Sequence, residues 1–280
     1  VLNSISILDK ERIQGVFVAS SNELAFYSNR KAEIEAATGV IVFTNPPDVL
    51  KVCQDKWRTV TFLKEHGFHF PHTIRYPEDR DQISKFIRQV EFPIVVKPRF
   101  GTGSKDLFIV ENYSKLRSLV TSRKNLILQQ YLPDDDGEFT TGICTGANEK
   151  VLSGITLKRL LQDGLTMAAD CGDYEGITDY CKTVARTLKT YGPCNFQSRL
   201  LEGKPYIFEI NPRFSSSTGM RCLLGVNEAE ILLRSEILKE DLSEPEIIKC
   251  GVIRQYADYL VPVDQIKKLE KEKYAVNDHG

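Results

Sequence analysis

The sequence predicts a mixed fold of the α/β and α+β classes, and three observations carry that expectation. Strand-like and helix-like segments alternate over residues 16–54, the order of a parallel α/β unit. Residues 92–130 read as strand, glycine-rich turn, strand, helix and strand. Farther on, long strands surround a helix whose Ile177, Cys181, Val184, Ala185 and Leu188 recur at i, i+4, i+7, i+8 and i+11, a stripe that belongs in a core.

The elements follow in order. Val16, Phe17 and Val18 form a buried strand. A helix over 22–38 is stopped by Gly39, Val40 to Phe43 make a second strand, and Pro46 and Pro47 open the next helix. Asp55 has the right chemistry to cap a helix over 56–66, ended by Gly67. A polar helix over 79–90 carries Ile83, Phe86 and Ile87 on one side. The glycine-turn strands come next, then a helix over 113–122 and a strand over 126–130. Strands are expected from the acidic turn at 134–137 to about Leu161, then over 194–200 and 206–210 around a hairpin turn at Glu202, Gly203 and Lys204. Residues 227–239 read as helix, 252–259 as strand, and the lysine- and glutamate-rich stretch 263–273 as an exposed helix.

Composition narrows the function classes. With 37 basic and 38 acidic side chains the formal net charge is −1, which supplies no global field for nucleic acid or an anionic membrane. No apolar run approaches a membrane span, and the first residues lack a signal-peptide core. The seven cysteines contain no C-x-x-C, and the nearest two, Cys171 and Cys181, are ten apart; they read as packed, reduced thiols of a cytoplasmic protein. His66, His69 and His72 have no spacing that suits zinc.

Three stretches can do chemistry. In YIFEINPRF, Glu209 and Asn211 sit two apart on a strand and leave the same face, while Phe208 and Ile210 turn to a core. A carboxylate spent in an apolar strand is expensive unless something such as a hard cation compensates it, and Mg²⁺ takes oxygen ligands of this kind. A three-residue loop centred on Gly203 sets Gln197 opposite Glu209, where its amide oxygen can join the same ion. Arg213 is then placed to offset charge on a transferring phosphoryl group. In the second stretch, Lys97 ends a buried strand before Gly101, Thr102, Gly103 and Ser104, whose backbone can approach phosphates; neither Walker A nor G-x-G-x-x-G is present. In the third, the strand ending at Gln129, Gln130, Tyr131 and Leu132 can pair an adenine edge through its backbone, and Glu138 can bond ribose hydroxyls.

Taken together, the Asp55-Lys56 helix start, PIVVKP at 93–98 leading into the glycine loop, the Gln-Gln-Tyr-Leu hinge, and EINPRFS at 209–215 resemble the ATP-grasp superfamily, in particular its carbamoyl-phosphate synthase large chain-like and amino-acid (carboxylate–amine) ligase branch. The resemblance implies an ATP-grasp fold: two α+β subdomains with a mobile lid, preceded by a shortened Rossmann-like α/β unit. The boundaries expected from it are 1–54 for a partial N-terminal domain and 55–280 for the grasp domain, with a lid at about 92–131, a C-terminal subdomain at about 132–262 and a helical tail at 263–280. It implies ATP with Mg²⁺ (Mn²⁺ as a substitute), and phosphate contacts from Lys56, Lys97 and Gly101 to Ser104. Gln129 to Leu132 would hold adenine and Glu138 ribose. Gln197, Glu209 and Asn211 would carry the metal, and Arg213 and Arg159 would be the catalytic basic residues. Gln197 stands where many relatives place a glutamate.

The activity implied is ATP-dependent ligation of a small carboxylate to an amine through an acyl phosphate, with ADP and phosphate released. The alternatives are a module that phosphorylates bicarbonate or carbamate, and a homologue that binds ATP without turnover. Partners are expected to be small molecules rather than nucleic acid or membrane, with a homodimer or a missing N-terminal partner segment as the macromolecular alternatives. The substrate pocket is expected around 159–174 and 215–224.

Overall fold

A computed structural model of the protein describes residues 2–101, 106–162 and 164–272. Thr102, Gly103 and Ser104 of the glycine loop lie outside the described residues.

The N-terminal segment folds as α1 (Leu2–Lys10), β1 (Gly15–Phe17), α2 (Leu24–Thr38), β2 (Ile41–Phe43) and α3 (Pro47–Cys53). Gly39 ends α2 in the left-handed region (φ 72°), where its N–H reaches the Glu35 carbonyl at 2.8 Å. β1 and β2 pair in parallel, as the strand–helix–strand order predicts, but two strands are too few to define a Rossmann-like sheet among the described residues. α4 (Lys56–Glu65) begins at Asp55, whose carboxylate accepts the N–H groups of Trp57 and Arg58.

Next comes a four-stranded antiparallel sheet built from β3 (Thr73–Tyr76), β4 (Ile94–Pro98), β5 (Phe108–Val110) and β6 (Leu126–Gln130), in the order β3-β6-β4-β5. α5 (Ile83–Val90) and α6 (Tyr113–Thr121) pack on it through Phe86, Ile87, Leu116 and Val120, against Ile94, Val96 and Leu128. α5 shortens the helix expected over 79–90, because Arg80–Gln82 is a 3₁₀ turn. β3 is the strand that the sequence analysis missed. Its four residues lie between Pro71 and Pro77 and are all only half-buried, so they carry no apolar run to announce them.

The larger sheet has six strands, all antiparallel: β7 (Glu138–Thr145), β8 (Val151–Gln162), β9 (Leu165–Asp170), β10 (Gly192–Leu201), β11 (Lys204–Asn211) and β12 (Gly251–Ile253), ordered β11-β10-β7-β8-β9-β12. α7 (Glu175–Leu188) lays its stripe on this sheet. Ile177, Cys181, Val184, Ala185 and Leu188 are all buried, against Phe139, Ile143, Phe196, Ile207 and Ile210. α8 (Thr218–Leu223), α9 (Glu228–Leu232), a π-helical turn (Leu233–Ile237) and an exposed α10 (Val263–Glu272) complete the described chain. β12 covers only two residues of the strand expected over 252–259, whose remainder has no regular structure. All seven cysteines are free, five of them buried. Among the described residues, no helix is long and apolar enough to cross a membrane.

Candidate functional site

β11 brings Glu209 and Asn211 to one end of the six-stranded sheet, and Gln197 of β10 is the register partner of Glu209, as expected. The route to that pairing differs from the expectation. The hairpin closes with two residues, Glu202 (φ 52°) and Gly203 (φ 72°), both in the left-handed region that such a turn needs, and Leu201 pairs directly with Lys204. This shorter turn alone would set Gln197 one residue out of step. A bulge restores the count: Ser198 pairs with Ile207, Gln197 pairs with Glu209, and Phe208 is left as the extra residue. Phe208 therefore does not turn to the core with Ile210. Ile207 takes that place, and Phe208 lines a cavity beside Glu209.

The cavity has a volume of about 450 Å³ and lies between the two larger sheets. Lys97 reaches it from β4 and is 5% exposed, with its ammonium 5.5 Å from the Phe208 ring centroid. Burial pushes the Lys97 pKa down to about 8, with Glu209 opposing the fall and Lys56 adding to it. Lys56, at the first turn of α4, donates to the Gly101 carbonyl at 2.8 Å; burial lowers its pKa, while Glu209 and Asp55 oppose the change. Asp55 does more than cap. It grips Arg99 through two bonds of 2.8 and 2.7 Å, and the Lys56 N–H meets the Arg99 carbonyl at 3.1 Å. One carboxylate thus fixes both the helix start that bears Lys56 and the chain leading into the glycine loop.

Gln129 is 2% exposed and spends its amide on the Thr73 hydroxyl, and Gln130 accepts from the His72 N–H, so both side chains tie β6 to the β3 side of the sheet. Both line the cavity together with Tyr131 and Leu132. Glu138, at the start of β7, lines it too, held between two arginines: Arg159 bonds one carboxylate oxygen, and Arg199 bonds the other and also the Leu132 carbonyl. Arg159 is absent from the cavity lining; it stands behind Glu138. Arg199 is a lining residue that the sequence analysis overlooked, although it sits two positions from Gln197 on one strand.

Asn211 and Arg213 face a second cavity of about 320 Å³, which shares Lys56, Phe100, Gly101 and Glu209 with the first. The Asn211 amide donates to Glu209 at 3.0 Å. Burial lowers the Arg213 pKa, and Glu209 opposes that shift. Beneath this region lies a fully buried ion pair, Arg221 to Glu228 at 2.9 Å, each side chain 1% exposed. Arg221 also bonds Ser215, Thr218 and Asn195, the β10 residue opposite Asn211, and so ties the turn after β11 to the sheet.

Residues 53–164 match the family model of the RimK-like ATP-grasp domain, and residues 122–256 match that of the ATP-grasp in the biosynthetic pathway with Ter operon. The chain is a member of the ATP-grasp superfamily. Among ATP-grasp relatives, it is 25% identical over 259 residues to the carbamoyl phosphate synthase large chain of Helicobacter pylori, an alignment covering 85% of this chain and 23% of that one. The chain thus spans about a fifth of the length of the curated relatives it matches. The ATP-grasp fold is shared with N5-carboxyaminoimidazole synthetase from Staphylococcus aureus complexed with ADP, at a TM-score of 0.70 and 15% identity, over 96% of this chain and 72% of that one. It is shared equally with the biotin carboxylase domain of the Hydrogenobacter thermophilus 2-oxoglutarate carboxylase, a dimer in complex with MgADP, ADP and bicarbonate, at a TM-score of 0.70 and 13% identity, over 89% and 59% of the two chains.

Proposed function

We propose that the chain is an ATP-dependent carboxylate–amine ligase that activates its carboxylate as an acyl phosphate. The single observation that carries the reading is the convergence of Lys56, Lys97 and Gln197 on Glu209 at the point where the two cavities meet. Two ammonium groups near one carboxylate suit a polyphosphate with its counter-ion better than any neutral ligand. The related folds solved with ADP and MgADP support the same ligand.

A divalent cation fits the residues present. Glu209 offers a carboxylate, and Gln197 opposite it and Asn211, whose amide nitrogen donates to Glu209, each carry an amide oxygen; oxygens are hard donors of the kind Mg²⁺ or Mn²⁺ accepts. Among the described residues no group of three or more His, Cys, Asp or Glu is placed to hold a metal ion; nucleotide phosphates would complete the shell. When bound, the ion would neutralise charge on the phosphates during transfer.

The remaining work falls to the chain's own side chains. Lys97 and Lys56 hold the phosphates, with Gly101 beside Lys56. Gln129 to Leu132 present backbone to the adenine, and Glu138, fixed by Arg159 and Arg199, receives the ribose. The substrate carboxylate oxygen attacks the γ-phosphorus, the bond to the ADP oxygen breaks, and Arg213 balances the acyl phosphate that results. An amine nitrogen then attacks the acyl carbon, phosphate leaves, and the amine loses a proton as the amide forms. Alignment and charge balance suffice for this chemistry, with no enzyme nucleophile. In this reading residues 55–280 form the grasp domain, and 1–54 contribute a partial unit at its edge.

The likeness to carbamoyl phosphate synthase favours a second reading, phosphorylation of bicarbonate or carbamate. ADP release measured over a panel of carboxylates and amines separates the two, with Glu209→Gln as the control. Tight MgATP binding without substrate-dependent ADP would instead point to a nucleotide-binding homologue, and wild-type turnover in Glu209→Gln would refute the assignment of Glu209.

A further inference from the structure

The second cavity opens away from the 159–174 and 215–224 segments that the sequence singles out. It runs toward the N-terminal unit, where Ser21, Asn22 and Gln54 line it. Arg213 bridges the two parts of the chain. Its Nε donates to the Ser21 hydroxyl at 2.7 Å and one terminal nitrogen to the Phe214 carbonyl at 2.7 Å, while the other meets the Asn211 amide oxygen at 3.4 Å. A guanidinium has five N–H donors in a fixed fork, so two remain for a ligand.

The charges of the lining select the ligand. Among the described residues its cations are Lys56 and Arg213 and its one acid is Glu209. In the ligase reading Lys56 faces the phosphates and Glu209 the metal, which leaves Arg213 to meet one negative charge. Beyond it stand neutral hydrogen-bonding groups, Asn22 and Gln54, and the apolar Leu24 and Phe100. Among the described residues a second carboxylate would find no further cation there, and an ammonium no free acid; each would be desolvated without compensation. The apolar wall of Leu24 and Phe100 offers a carbon tail a surface that bicarbonate, with three oxygens around its one carbon, cannot use.

We infer that this cavity is the acceptor subsite for an organic monocarboxylate whose remaining groups are neutral, with the carboxylate on Arg213 and the neutral end against Asn22 and Gln54. Ser21 is the positioning residue that aims Arg213. The inference rests on the ligase reading and narrows its substrate class.

The test measures ADP release with MgATP and methylamine, using acetate, glycolate, lactate and pyruvate against bicarbonate, succinate and glycine. ADP affinity is measured separately by calorimetry. Neutral-tailed monocarboxylates are expected to give the highest kcat/KM. Gln54→Glu, which adds like charge to the cavity, should raise their KM tenfold or more with ADP affinity within twofold of wild type. Asn22→Asp should do the same, and serves if Gln54→Glu melts early. Ser21→Ala should lower kcat more than it changes ADP affinity, and Ser21→Thr, which keeps the hydroxyl, should restore it. ADP release that prefers succinate or glycine, or a monocarboxylate KM unmoved in both acidic variants, overturns the inference and leaves the ligase reading standing; a preference for bicarbonate overturns both in favour of the second reading. Absence of ADP binding, or of ADP release with every carboxylate in the panel, overturns the ligase reading itself.

Discussion

Replacing Lys97 by methionine should make the unliganded protein more stable and the nucleotide complex weaker. The ammonium sits 5% exposed at the end of β4, and its pKa falls from 10.5 to about 8, chiefly through burial. A fall of about 2.5 at 1.36 kcal/mol each means that the folded state disfavours the charged lysine by about 3 kcal/mol. Because the folded pKa is the lower one, the penalty is full below about pH 8, shrinks as pH rises from 8 to 10.5, and is gone above 10.5. Methionine keeps the length and discards the charge. At pH 7, Lys97→Met should therefore melt at least about 6 °C above wild type, at the 2–4 °C per kcal/mol expected for a chain of this size. The gap should narrow steadily toward pH 10. The charge-assisted bond to phosphate is worth about 1.5–3 kcal/mol, so ADP affinity should drop about ten- to a hundredfold, read by calorimetry at pH 7. A variant that melts at or below wild type, or whose advantage is the same at pH 7 and pH 10, would refute the picture of a desolvated lysine held ready for an anion.

Further expectations concern the scaffold. Glu228→Ala strands Arg221 in the interior and should lower unfolding free energy by about 3–5 kcal/mol in urea titration; a loss below 1 kcal/mol would show the pair to be solvated. Gly142 faces the same pair, and a Cβ there would sit 2.4 Å from Arg221 Nε and 2.6 Å from a Glu228 oxygen, so Gly142→Ala should destabilise by about 1–3 kcal/mol where an open strand site would gain. Asp55→Ala removes a helix cap worth about 0.5–2 kcal/mol and frees Arg99, so ADP affinity and melting temperature should fall together; a loss of stability alone would separate the cap from the loop.

Local chemistry accounts for what was legible in the sequence. The Asp55 cap, the Gly39 stop, the α7 stripe and the shared face of Glu209 and Asn211 all follow from spacing within one element, and the structure has each of them. What escaped depends on contacts between distant segments. β3 exists because β6 offers it an edge, and four half-buried residues between prolines carry no period of their own. Arg199 gains its place from Glu138, 61 positions away, and Arg213 is aimed by Ser21, 192 positions away. Phe208 was assigned to the wrong face because strict alternation fails at a bulge, which no pattern of apolar residues within β11 declares.

The tip of the β10–β11 hairpin is exposed and looks like a place where insertions are harmless, yet it works as a counter for the residues beneath it. Two turn residues and one looped-out phenylalanine together bring Glu209 opposite Gln197. Adding or deleting a single residue at Glu202 or Gly203 would shift that tally by one and present Phe208 or Ile210 in place of the carboxylate, unless the bulge itself were healed. Any graft onto this tip therefore has to preserve parity, and natural length variation there should come in steps of two or together with loss of the kink.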